Sequence, residues 1–121
     1  MGFLTSDHAG FYPQKFMEQV HLNPTDTARD LGAPRASLYK NVIQLKPSTK
    51  LKERILAIVA VTDVAFQLFG KNPEETAKWL TTPNILLFGK SPFEICLRGD
   101  GNVLIKWLLD RAGVEAVPIR P

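Results

Sequence analysis

The fold is decided by the stretch from Leu68 to Gly113, which reads LFGKNPEETAKWLTTPNILLFGKSPFEICLRGDGNVLIKWLLDRAG. Asn72-Pro73-Glu74-Glu75 and Ser91-Pro92-Phe93-Glu94 share one pattern: a capping side chain, a proline and an acidic residue at the third helical position. Proline costs no hydrogen bond at a first helical position, and the glutamate can return a bond to the cap. Asp100 offers a third helix start, and Gly113 a left-handed stop. The stretch therefore predicts three short helices with tight corners.

The order of these corners carries more information than the helices themselves. Four short runs follow one another: Leu68-Phe69-Gly70, Trp79-Leu80-Thr81-Thr82-Pro83-Asn84, Ser91-Pro92-Phe93-Glu94 and Gly99-Asp100-Gly101. In this order they resemble the toxin-binding domain of the Xre/MbcA/ParS antitoxins, the partners of RES-domain toxins. Two departures stand out. The chain has Ile85-Leu86-Leu87-Phe88 where that family has a small, Gly-rich turn, and it continues past the last helix to Pro121.

The resemblance implies a function for this half of the chain. Toxins of the RES family consume NAD⁺ or use it for ADP-ribosylation, so the last helices and an extended tail at residues 114–121 would cover the toxin's cleft. Apolar and aromatic side chains here exceed what three short helices need, and buried aromatic anchors supply affinity at protein interfaces. The predicted toxin-binding residues are Trp79, Asn84, Leu86, Phe88, Arg98, Asp100, Trp107, Arg111, Val117, Ile119 and Arg120.

Composition limits the class of protein. The chain has 121 residues, 45% hydrophobic and 22% charged, which is typical of one globular domain or two small ones. No apolar run approaches the roughly 20 residues of a membrane span, and the start lacks the layout of a signal peptide. The single cysteine, Cys96, excludes an internal disulfide. We expect a cytoplasmic protein.

The N-terminal half predicts a helix-turn-helix. Residues 1–12 read as a mobile or loosely docked arm, and residues 13–54 as a DNA-binding region. Short helices are expected from Pro13 and Pro24, the second ending at Gly32. A further helix is expected from Pro34, because Leu38, Val42 and Leu45 are spaced at i, i+4 and i+7. Helix, Gly-containing turn and helix is the layout of an Xre-like helix-turn-helix.

The positive charge of the chain concentrates in this half. The formal net charge is +3, and residues 1–54 hold eight Lys and Arg against five Asp and Glu, which accounts for all of it. Side chains leading the second helix would face base edges, and nearby lysines would contact phosphates. The predicted DNA-binding residues are Arg35, Ser37, Tyr39, Lys40, Lys46 and Lys50. The alternative is a degenerate motif that serves only as a scaffold.

A long central helix is expected from Ser48 or Thr49 to Leu68. From Ile55 onward its apolar residues cover nearly the whole circumference, and such a helix must be buried on all sides. A second copy of the chain is one source of cover, so a homodimer is predicted through Ile58, Val61 and Phe66. The alternative is the central core helix of a monomer.

Catalysis is not expected. His8, His21 and Cys96 have neither a nucleophile–base neighbour in sequence nor a metal-ligand spacing, and no phosphate-binding loop is present, so no catalytic, cofactor or metal residues are predicted. The sequence predicts an all-α antitoxin with the central helix and a toxin-binding domain at residues 55–113. It would neutralise a RES-domain toxin and regulate its own operon through DNA binding. The alternative function is a stand-alone transcriptional regulator whose C-terminal half only dimerises.

Overall fold

Three of the six helices in the described part of the chain begin at a polar cap followed by proline. The computed structural model of the protein describes the backbone of residues 2–112 and the side chains of residues 2–110. Helices run over Pro13–Val20 (α1), Pro24–Leu31 (α2), Lys50–Leu68 (α3), Pro73–Thr81 (α4), Pro92–Leu97 (α5) and Gly101–Ala112 (α6). Single 3-10 turns occupy Arg35–Tyr39 and Ile85–Leu87, and strands Gly10–Phe11 (β1) and Ile43–Gln44 (β2) pair antiparallel. The predicted all-α fold is confirmed, with one small strand pair added.

The caps form as their sequence predicts. The amide of Asp26 donates to the side chain of Asn23 at 2.8 Å, and Asn72 and Ser91 accept from the third helical residue in the same way. At Ser91 the bond is returned, because Glu94 Oε1 accepts from the Ser91 amide at 3.2 Å. This reciprocal capping box fixes where α5 begins and therefore where the preceding loop must end.

Helix α3 is the centre of the core. It packs against α4, α5 and α6, and it buries Ile55, Ile58, Val59, Val61 and Ala65. The closest approach is at Gly101, where an added Cβ would lie 3.1 Å from the Cβ of Ala57. A side chain at the first residue of α6 would therefore crowd Ala57, and glycine lets the two helices meet at this distance without adjustment. No helix within residues 2–112 is long and apolar enough to cross a membrane.

Two of the three residues predicted for dimerisation lie in the core of the chain rather than on its surface. Ile58 and Val61 are buried within a single chain, so their side chains are not available to a second copy. Phe66 is half-buried. The apolar surface of α3 packs against α4, α5 and α6 and against the N-terminal segment of the same chain. Helix α3 is therefore the core helix of one chain.

The second helix of the predicted helix-turn-helix does not form. Residues 35–39 make a 3-10 turn, Lys40 is extended, and β2 follows at Ile43–Gln44. Ile43 and Leu45 are buried with Gln44 exposed between them, so the apolar pattern has the period of a strand rather than of a helix. The partner strand decides this, because β1 supplies backbone hydrogen bonds and Leu45 donates to the Ala9 carbonyl at 2.7 Å.

The N-terminal arm is part of the core. Phe3 is 1% exposed, its ring meets that of Phe16 edge-on with centroids 5.2 Å apart, and Phe11 packs on Phe16 at 5.6 Å. The amide of Tyr12 donates to the Phe3 carbonyl at 2.8 Å, which ties the first residues to β1. The expectation of a loosely docked arm is therefore wrong for residues 3–11. Phe3 and Phe11 lie outside any helical apolar period, so the sequence pattern gave no signal of this packing.

Phe3→Ala tests this placement. Removing a buried phenylalanine ring from a packed core costs about 3–5 kcal/mol of unfolding free energy, measured by urea denaturation. Phe88→Ala is the matched control, because the exposed Phe88 ring should contribute less than about 1 kcal/mol. Equal stability of the two variants would show that the arm is only loosely docked.

Candidate protein-binding surface

A loop between α4 and α5, closed by hydrogen bonds, presents apolar side chains to solvent. We call residues 84–90 the 84–90 loop. Its two ends pair as an isolated antiparallel bridge, with the Asn84 amide donating to the Lys90 carbonyl at 3.1 Å. The Asn84 carbonyl accepts from Leu87 and Gly89, each at 2.9 Å, and the Asn84 side chain accepts from the Leu86 amide at 2.8 Å. Asn84 thus joins the two ends of the loop through its backbone and bonds the Leu86 amide through its side chain.

Three of the apolar side chains on this loop are exposed to solvent. Ile85 is 89% exposed, Leu86 55% and Phe88 94%, whereas Leu87 points inward and is buried. On α6, Val103 is 68% exposed. Within the described residues only Tyr39 joins these four as a large exposed hydrophobic side chain, so the exposed apolar surface is concentrated in one region.

The loop and helix α6 border a groove of about 510 Å³. Its apolar lining includes Leu86, Phe88, Ile95, Val103 and the half-buried Trp107, and its polar residues are Lys90, Arg98 and Asp100. An apolar groove with charged residues at its edge is the anatomy of a protein interface.

The structure brings together five of the predicted toxin-binding residues. Leu86, Phe88, Arg98, Asp100 and Trp107 all line this groove. Trp79 and Asn84 lie elsewhere, in a hollow with Phe69, Thr82 and Pro83. The Trp79 ring packs edge-on against Phe69 with centroids 5.8 Å apart, so Trp79 holds α4 to the end of α3. The side chain of Arg111 and residues Val117, Ile119 and Arg120 lie outside the described part of the chain.

Sequence reasoning missed Val103 as a surface residue. It is not among the predicted toxin-binding residues, yet α6 carries apolar residues at 103, 104, 105, 107, 108 and 109. A single apolar stripe on a helix of this length is narrower than that. The excess was the available signal that α6 has a second apolar face, which the structure places along the groove.

The residues predicted to contact DNA lie on the 3-10 turn, on the loops around β2 and at the start of α3. Arg35, Tyr39, Lys40, Lys46 and Lys50 are exposed, and Ser37 is half-buried. The guanidinium of Arg35 lies 5.9 Å from the centre of the Tyr39 ring and donates to its hydroxyl at 3.2 Å. The side chain of Gln14 donates to the Tyr39 carbonyl, which ties the turn to α1.

The titratable groups offer little chemistry. Burial raises the pKa of the Cys96 thiol to about 12, so this thiol is protonated and a poor nucleophile near neutral pH. Among residues 2–112, no group of three or more His, Cys, Asp and Glu is placed to hold a metal ion.

An apolar groove beside a loop with exposed apolar side chains is typical of a surface that binds another protein. The sequence model of the antitoxin Xre/MbcA/ParS C-terminal toxin-binding domain matches residues 64–113, which contain both features. This part of the chain matches the model of that family, and the predicted resemblance is confirmed. The match supports an antitoxin role with a toxin as protein partner. Comparisons with curated proteins and with solved structures gave no match.

The state of Cys96 can be tested with a thiol reagent. A buried thiol whose pKa is about 12 should react with Ellman's reagent at pH 8 at least ~10-fold more slowly in the native chain than in guanidinium. The denatured chain is the internal control, since it has the same single cysteine. Equal rates would contradict the burial of Cys96 between α5 and α3.

Proposed function

We propose that this chain is an antitoxin that binds a RES-domain toxin acting on NAD⁺ and blocks its active-site cleft. The observation that carries the proposal is the coincidence of two findings. The matched toxin-binding domain, residues 64–113, contains the exposed apolar loop and the groove beside it. The toxin class and its use of NAD⁺ come from the sequence resemblance.

The groove is suited to a protein partner rather than to a small metabolite. Its apolar side chains would lose contact with water on binding, at roughly 25 cal/mol per Å² of apolar surface. Trp107 stands half-buried in the lining, and aromatic residues in such positions are frequent hot spots. Lys90, Arg98 and Asp100 would set orientation more than affinity.

Neutralisation would follow from the position of α6. The helix lines the groove and extends to Ala112, so a toxin seated in the groove would also meet the residues that follow. We propose that residues 114–121 lie in the toxin's cleft and exclude the dinucleotide. Binding and neutralisation are then separable, with the groove providing most of the affinity.

Operator binding and homodimerisation remain predictions beside this proposal. A stand-alone regulator would need side chains that reach base edges, commonly from a helix in the major groove. The segment at 34–45 is a 3-10 turn and a strand, so this geometry favours the toxin-binding function. The exposed lysines could still contact phosphates.

The proposal is tested by co-expressing the chain with the product of its neighbouring gene and assaying the purified material for NAD⁺ consumption. We expect a stable complex that is inactive until the antitoxin is removed by denaturation and the toxin refolded. A chain that forms no complex but shifts its own promoter DNA specifically would instead establish the regulator.

Val103→Glu should weaken the complex by at least ~10-fold, because it places a charge in the apolar groove. Glutamate is a better helix former than valine, so α6 should persist. Isothermal titration with the neighbouring gene product measures the loss. Asn102→Glu is the matched control, since it adds the same charge on an exposed residue outside the groove. Equal affinities of the two variants would rule out the groove as the interface.

Removal of residues 114–121 should restore NAD⁺ consumption at least in part while leaving the complex assembled. The physical reason is steric, because the groove would still hold the toxin with its cleft open. Activity of the purified truncated complex, compared with that of the full-length complex, measures the effect. Full neutralisation by the truncated chain would show that the tail has no such role.

A further inference from the structure

At the tip of the 84–90 loop, Phe88 has a backbone conformation that is unfavourable for a phenylalanine. Phe88 and Gly89 have φ angles of +59° and +79°, and the Lys90 amide donates to the Leu87 carbonyl at 3.2 Å. Positive φ at both central residues with this hydrogen bond is the pattern of a type I′ turn. The first central position of such turns favours asparagine, aspartate or glycine, because a side chain with φ near +60° is strained. Here it holds phenylalanine.

Nothing in the fold explains an aromatic residue at this position. Phe88 is 94% exposed, so its ring adds almost nothing to the core. Other described residues with positive φ, apart from glycines, are His8, His21, Ser48 and Lys71, all of which are polar. Phe88 therefore combines backbone strain with an apolar ring in water, and each is unfavourable for the isolated chain.

We infer that Phe88 is a preformed anchor that inserts its ring into an apolar pocket of the toxin. The inference rests on the proposed function and identifies the part of the surface that enters the partner. The groove receives side chains of the toxin, whereas Phe88 projects outward from its wall. Toxin side chains would therefore enter the groove of this chain, while the Phe88 ring of this chain would enter the toxin.

Hydrogen bonds within the loop hold the backbone of Phe88 in its turn conformation before binding. Asn84 fixes both ends through its backbone and side chain, and the Phe88 amide donates to the Ile85 carbonyl at 3.1 Å. An anchor held in its bound conformation loses little entropy on association. Ile85, at 89% exposure, lies on the same loop and widens the apolar contact.

The charges beside the ring indicate the chemistry of the pocket. Lys90 and Arg98 are cationic and Asp100 is anionic, so the groove beside Phe88 carries one more positive than negative charge. Complementary potentials are the rule across protein interfaces. The partner pocket is therefore apolar inside, wide enough for a phenyl ring, and bordered by at least one carboxylate.

Phe88→Asn is the decisive variant. Asparagine suits the turn, so the melting temperature of the isolated chain should rise by roughly 2–6 °C. Affinity for the purified product of the neighbouring gene should fall at least ~30-fold, as expected for a lost hot-spot aromatic. Phe88→Ala should lose as much affinity without the rise in melting temperature, because alanine retains the strain of a positive φ.

Tyr39→Ala is the matched control, since it removes the other large exposed aromatic, which lies on the 3-10 turn outside the groove, and should leave affinity within ~2-fold. If wild-type chain binds and Phe88→Asn binds equally well, the anchor is disproved while the proposed function stands. If wild-type chain does not bind the neighbouring gene product at all, both are overturned. A Phe88→Asn chain that melts below Phe88→Ala would overturn the argument from strain.

Discussion

The approach of α6 to α3 at Gly101 is the contact on which the rest of this structure depends. A hydrogen in place of a side chain lets the first turn of α6 lie against Ala57, and a Cβ there would lie only 3.1 Å from the Cβ of Ala57. The position of α6 in turn sets where Val103 and Trp107 stand relative to the 84–90 loop. The width of the groove is thus fixed at the core rather than at the surface.

The C-terminal half could be predicted from sequence because its determinants are local. Asn72, Ser91 and the prolines that follow them define helix starts within four residues, and the chain obeys them. The N-terminal half could not, because there a distant partner decides. Leu38, Val42 and Leu45 have helical spacing, yet β1, some thirty residues earlier, pairs with Ile43 and Gln44 and turns the segment into a strand. Pairing between remote segments is invisible to a window of neighbouring residues.

The binding surface was predictable in composition but not in arrangement. An excess of apolar residues at 85–88 indicated a surface, and the structure places Leu86 and Phe88 on one groove with Arg98, Asp100 and Trp107. Trp79 shares their chemistry but packs on Phe69, and only tertiary structure separates an aromatic that binds from one that packs. Ile58 and Val61 illustrate the reverse case. Their apolar helix suggested either a second chain or the core of one chain, and both side chains are buried within a single chain.

The two tryptophans occupy environments that differ in kind. Trp79 is packed against Phe69 at the junction of α3 and α4, whereas Trp107 is half-buried along the groove. The ultraviolet emission of the chain therefore has one component that follows folding and another that follows occupancy of the groove. Trp79 and Trp107 are the two tryptophans of the chain. Their intrinsic fluorescence could therefore be used to follow complex formation in real time without a label.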